Sequence, residues 1–188
     1  MPPIAPAHRC LILDACYLIN LHASGWLAAI LASLGQVIVI ADYVRSQEAL
    51  RIRGCAADDP MSSYETIDLR SVIDAGLLRV VSLETEEEEQ RAVNYVVALL
   101  DTGEAITGAI ALSRHWAIGT DDRKATSFFA RQAAQLQLVT TPEIVKHWAD
   151  SSAPTPDDLR AAIRSVQARA RYVPGRQHPL RQWWDRCS

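Results

Sequence analysis

The apolar residues of this chain fall into short unbroken runs rather than strict alternation. Residues 11–13, 36–41, 77–83, 117–120 and 136–139 are runs of this kind, and 36–41 is β-branched almost throughout. Runs without polar alternates suit strands covered on both faces, as in parallel sheets. Between them, apolar positions recur at helical spacing over 16–34, 42–53, 69–75, 85–101, 104–114 and 122–134. The first of these is broken near Ser24-Gly25, where Ser24 suits a second N-cap. Gly76 closes the short helix over 69–75, and Gly103 breaks the one running to about 101. Thr85, with Glu88 three residues on, matches a capping box, so the acidic run 86–89 favours a helix start. Thr141-Pro142 and Thr155-Pro156-Asp157-Asp158 carry the same start signal, the second opening a helix over 156–172. Residues 54–63 form the clearest internal loop.

Strands alternating with helices imply a parallel sheet with helices on both faces. The expected fold is therefore α/β: a three-layer α/β/α domain over 1–154, with a mainly parallel sheet of about five strands. A basic helical extension over 155–188 is expected to pack on it.

Composition adds bounds. With 188 residues and 49% hydrophobic content, the chain is sized for one globular domain. No apolar run is long enough to span a membrane, and the N-terminus lacks a signal-peptide pattern, so a soluble cytoplasmic protein is expected. Cys10, Cys16, Cys55 and Cys187 show neither Cys-x-x-Cys nor zinc-finger spacing, which favours free buried thiols. The net charge of −3 is unevenly distributed: residues 1–154 carry −7 and residues 155–188 carry +4. An acidic body with a basic tail suits a cation in one part and phosphate at the other, although a solvated helix face explains the tail equally well.

Four acids stand where acids are costly. Asp14 is the only formally charged residue between Arg9 and Asp42, at the end of an apolar strand. Asp121 occupies the same kind of junction after residues 117–120. Glu48 shares a predicted helix face with Val44 and Ile52. Glu104 opens a helix with no further charge until Arg114. Each has an ordinary explanation: N-caps for Asp14 and Asp121, dipole complementation for Glu104, and pairing with Arg45 or Arg51 for Glu48. Together they are harder to dismiss. Two carboxylates about 4 Å apart repel by roughly 4 kcal/mol at an effective dielectric near 20. Protonation or a divalent cation relieves that cost, and an all-oxygen donor set suits Mg²⁺ or Mn²⁺ rather than zinc.

The segments Leu11-Ile-Leu-Asp-Ala-Cys-Tyr-Leu-Ile-Asn-Leu21, Val44-Arg-Ser-Gln-Glu48, Asp101-Thr-Gly-Glu-Ala105 and Gly119-Thr-Asp-Asp122 resemble those of PIN-domain ribonucleases, including VapC-type toxins. The resemblance implies a PIN-like fold and Mg²⁺- or Mn²⁺-dependent hydrolysis of RNA phosphodiesters. It assigns Asp14, Glu48, Glu104 and Asp121 as catalytic metal ligands, with Asp101 and Asp122 as further candidates. Thr120 and Asn20 would support them. It also implies RNA as substrate, a small antitoxin protein as partner and a homodimer. Ala15-Cys16 departs from the family pattern, which commonly places Thr, Ser or Asn just after the first acid.

Arg45, Arg123 and Lys124 lie near the acids in sequence and suit phosphate steering, or salt bridges to those same acids. On the helix over 156–172, Leu159, Ile163, Val166, Ala170 and Val173 form an apolar stripe for docking, while Arg160, Arg164 and Arg171 form a face suited to RNA. Trp183-Trp184 suits packing. A catalytically silent PIN-like module binding RNA or protein is the alternative; the patterns of receiver domains and aspartyl-phosphate phosphatases fit poorly.

Overall fold

In a computed structural model, residues 8–48, 50–53, 64–98 and 100–188 are described. β1 (Cys10–Leu13) is central to a sheet of five parallel strands. β2 (Val37–Ala41) and β5 (Arg79–Val81) lie on one side, β6 (Ala117–Gly119) and β7 (Leu138–Val139) on the other, in the order β5-β2-β1-β6-β7. Leu11 is in register with Ile38 and Ala117, and Ile118 with Leu138. Every residue of β1 and β6 is buried, which accounts for their unbroken apolar runs.

Helices flank the sheet, giving the three-layer α/β/α arrangement expected of a PIN-like fold. α1 (Ala15–Ala23) packs with α2 (Leu27–Ala32) and α8 (Thr141–Ser152). α6 (Thr102–Arg114) packs on β1, β2 and β6, beside α3 (Asp42–Gln47) and α5 (Glu86–Val97). α7 (Arg123–Gln132) joins that group through Phe129, whose ring lies where a side chain at Gly108 of α6 would stand. α4 (Arg70–Asp74) ends before Gly76, whose positive φ of 71° permits the sharp exit expected there.

Several expected elements change. The helix over 42–53 ends at Gln47, because Glu48 takes extended angles (φ −85°, ψ 142°). Ile52 instead lies in β3 (Arg51–Arg53), which pairs antiparallel with β4 (Tyr64–Thr66) in a small second sheet. The loop over 54–63 and Cys55 lie outside the described residues. The helix expected to reach about 101 ends at Val97, and Gly103 sits inside α6 rather than interrupting a helix. Ser24 does not cap α2 through its helical N–H groups; its hydroxyl accepts from Trp26 N at 3.0 Å and donates to Leu21 O.

The C-terminal segment begins as expected. Thr155 caps α9 (Pro156–Ser165) by accepting from Asp158 N at 3.1 Å. A π-helical turn, Val166–Ala170, follows, and Arg171 then enters the left-handed region (φ 54°). That reversal takes Val173 off the apolar stripe and leaves it exposed, whereas Ile163 and Val166 are buried in the main core. A non-helical strap over 173–180 leads to α10 (Arg181–Cys187), which sinks Trp184 into the same core. Cys10, Cys16 and Cys187 are free. Among the described residues no helix is long and apolar enough to cross a membrane.

Candidate functional site

The chain builds outward from β1 to β2 and β5, then crosses to β6 and β7. The order therefore reverses between β1 and β6, and in open parallel sheets that is where a crevice opens beyond the strand ends. Asp14 follows β1 there, and its backbone N–H donates to Gly119 O of β6 at 3.0 Å.

Asp14 is 5% exposed. As N-cap of α1, its Oδ1 accepts from Ala15 N at 2.8 Å. Oδ2 accepts from the Thr120 hydroxyl at 3.0 Å and from the Cys16 thiol at 3.2 Å. The Cys16 thiol thus supports the Asp14 carboxylate. Burial pushes the Asp14 carboxyl above its ordinary range and Asp101 adds to the rise, while the Cys16, Thr120 and Ala15 bonds oppose it.

Glu48 reaches the same region without belonging to a helix. A β-carbon placed on Gly103 would collide with the Glu48 carboxylate, lying 2.7 Å from Cδ and nearer still to Oε1. The bare backbone of the first turn of α6 therefore makes room for this acid. Glu48 has neither of the partners suggested by its neighbours in sequence. Arg45 instead pairs with Asp42 at 2.7 Å, and the Glu48 side chain makes no hydrogen bond or ion pair among the described residues. A cavity of about 360 Å³ opens beside it, lined in part by Arg45, Arg51 and Arg70.

Glu104 stands in the first turn of α6 and is 8% exposed. It forms a reciprocal capping box: Glu104 N donates to Asp101 Oδ1 at 2.8 Å, and Asp101 N donates to Glu104 Oε2 at 3.3 Å. A place in the first turn of α6, where an acid complements the helix dipole, is thus compatible with the acid cluster. Burial, then Asp101, Asp122 and Asp14, push its carboxyl up to about 7. Burial, then Asp14 and Asp101, push Glu48 up to about 7 as well. Asp101 acts on all three acids.

Asp121 is turned to a different task. Its Oδ1 accepts from Thr141 N at 3.0 Å and from the Tyr172 hydroxyl at 2.7 Å. Its Oδ2 accepts from Asn20 Nδ2 at 2.9 Å and from the Thr141 hydroxyl. Four donors engage both oxygens, so Asp121 ties β6 to α1, α8 and the C-terminal segment rather than presenting free oxygen to the pocket. Burial raises its carboxyl and these bonds counter the rise. Asp122 is the acid that acts on Glu104, although its Oδ1 caps α7 by accepting from Lys124 N and Ala125 N. Thr120 and Asn20 each donate to a carboxylate, Thr120 to Asp14 and Asn20 to Asp121.

The structure thus brings Asp14, Glu48, Asp101 and Glu104 into mutual influence, with Asp122 at the margin and Asp121 in its own network. Among the described residues, no group of three or more His, Cys, Asp or Glu side chains is placed so that it could hold a metal ion. The carboxylates of Asp14, Glu48 and Glu104 are nevertheless donors of the all-oxygen kind that could hold a hard divalent cation. Sequence reading did not find Gly103, Cys16 as a donor, or Thr141 and Tyr172 as partners of Asp121. The Asp101-x-x-Glu104 spacing was the available sign of the cap.

The basic residues divide by pairing. Arg45 and Arg160 are held by Asp42 and Asp157. Arg123, Lys124, Arg164 and Arg171 are exposed and make no side-chain ion pair or hydrogen bond among the described residues. No family model matches this chain, and no curated protein matches it.

Proposed function

We propose that this protein is a divalent-metal-dependent endoribonuclease of the PIN-domain kind, hydrolysing RNA phosphodiester bonds. The observation carrying the proposal is that three acids from separate elements, Asp14, Glu48 and Glu104, lie near the reversal point of a parallel sheet, Glu48 against the Gly103 backbone that precedes Glu104, with carboxyls held above their ordinary range by burial and by neighbouring acids. A resident Mg²⁺ or Mn²⁺ would supply Lewis acidity toward water and toward the phosphoryl oxygens. The chain's own residues prepare for it. Cys16 and Thr120 orient Asp14, the capping box fixes Glu104, and Gly103 admits Glu48. Asp101 and Asp122 add negative potential, which favours cation entry.

Incubation of varied RNAs with Mg²⁺ or Mn²⁺ tests this, with Asp14→Asn and Glu104→Gln as controls. Metal-dependent cleavage by the wild type, lost in both variants, is expected; intact RNA throughout would overturn the proposal. Toxin activity, a small antitoxin and a homodimer belong to the same reading, and a short upstream reading frame for a DNA-binding protein would support the pairing.

The engagement of Asp121 favours a second reading, a silent module that binds RNA or protein without cutting. Metal binding without cleavage of any RNA would select it.

A further inference from the structure

Next to Asp121 lies a groove of about 810 Å³ between α7 and the C-terminal strap. One wall is the first half of α7, with Arg123, Thr126 and Ser127. The other is the strap, with Tyr172 and Arg176. Asp121 is the only acid lining it among the described residues, and its oxygens are occupied as described above.

The strap wall is built rather than loose. His178 N donates to Gly175 O at 2.9 Å, making a tight turn that places Arg176 and Gln177 at its corners. Arg181 donates to Pro174 O at 2.6 Å, and the Tyr172 hydroxyl anchors the near end on Asp121. His178 anchors the far end. Its Nδ1 accepts from Leu180 N at 3.0 Å, which assigns the proton to Nε2, which donates to Thr140 Oγ1 at 3.0 Å. The histidine is therefore committed to structure.

The two arginines are not committed. The side chains of Arg123 and Arg176 make no hydrogen bond or ion pair among the described residues, whereas those of Arg45, Arg70, Arg91, Arg114, Arg160, Arg169 and Arg181 do. Two unneutralised guanidinium groups facing one concave, hydroxyl-lined groove concentrate positive potential and match phosphate oxygens. The groove adjoins the residues that follow β6, so a strand lying in it would lead toward Asp14.

We infer that this groove holds the sugar-phosphate backbone of single-stranded RNA, with Arg123 and Arg176 each neutralising one phosphate from opposite walls. The inference rests on the ribonuclease proposal for its choice of ligand. The test is fluorescence anisotropy with a labelled single-stranded RNA in EDTA, so that binding is read without cleavage, over a series of salt concentrations. Arg123→Gln with Arg176→Gln is compared with a charge-matched control, Arg131→Gln with Arg186→Gln, which alters exposed arginines outside the groove. The groove variant should flatten the slope of log K against log salt by about 1.4 and weaken binding roughly 10- to 30-fold near 0.1 M salt, with the control unchanged. Equal slopes in wild type and groove variant, or equal losses in groove variant and control, overturn the inference. Cleavage by the wild type with Mn²⁺ is scored separately. RNA cut normally by a groove variant of unchanged slope sinks the groove alone. A groove-dependent slope without cleavage under any metal sinks the nuclease alone.

Discussion

Glu48 lies across the backbone of Gly103, filling the space that a side chain there would need. Gly103 is buried in the first turn of α6, where Gly→Ala gains less than the roughly 1 kcal/mol of an exposed helix interior. At position 103 that gain competes with displacement of a carboxylate from the acid pocket. Gly103→Ala is expected to leave the thermal midpoint within a few degrees of wild type, because the helix gain and the loss of packing oppose each other. The stabilisation conferred by added Mn²⁺ should shrink markedly. Thermal melts with EDTA and with Mn²⁺ check both parts, and a full metal response in Gly103→Ala would remove Glu48 from the proposed donor set.

Glu48 and Glu104 also give the protein a directional pH dependence. Both carboxyls sit near 7 in the folded chain, against an ordinary 4.5. Between those values the folded protein holds protons that the unfolded chain has released, so stability falls as pH rises through the window and levels off above it. In EDTA, unfolding free energy should drop by roughly 1–2 kcal/mol from about pH 5 to 8, after allowance for solvent screening. Glu48→Gln should reduce the drop, and Mg²⁺ should do the same if it favours the ionised forms. Urea titrations at several pH values measure the slope, and a rise across this window would contradict the assigned burial.

Tyr172→Phe tests the other carboxylate. It removes the 2.7 Å donor from Asp121 Oδ1 while keeping the ring that packs edge-on against Trp184. A loss of about 1–3 kcal/mol is expected, since an enclosed carboxylate loses a charge-assisted bond. Faster proteolysis within the strap should accompany it. Unaltered urea and protease behaviour would show that Tyr172 does not hold the segment.

Arg114 offers a control far from the chemistry. It donates to Glu88 Oε1 at 2.6 Å, and the Glu88 side chain is only 3% exposed. Arg114→Leu strands a buried carboxylate and should cost about 3–5 kcal/mol. Adding Glu88→Met should recover much of that, whereas the Mn²⁺ response of both variants should match wild type. Calorimetry of the single and double variants decides it.

The central strands were legible because β1, β2 and β6 are apolar on both faces, and so were most helix starts, whose caps are local. Glu48 shows where such reading stops. Val44, Glu48 and Ile52 fit a helical stripe, but the backbone turns extended at Glu48 so that Ile52 can join a strand whose partner lies beyond residue 63. Spacing alone does not encode that distant partner. Asp14 and Glu104 were visible as isolated charges in apolar surroundings. Asp121 looked equivalent to Asp14, yet its orientation is set by Asn20, Thr141 and Tyr172, which are 101, 20 and 51 residues away. Glu88 was hidden in the reverse sense: within a run of four acids it reads as a helix start, and its burial depends on Arg114, 26 residues later.

Trp184 is fully enclosed by the same interior that surrounds β1. During synthesis the interior consequently cannot seal while the ribosome still conceals that indole. A nascent chain interrupted before Trp184 would leave that interior open and expose apolar surface for chaperones to recognise.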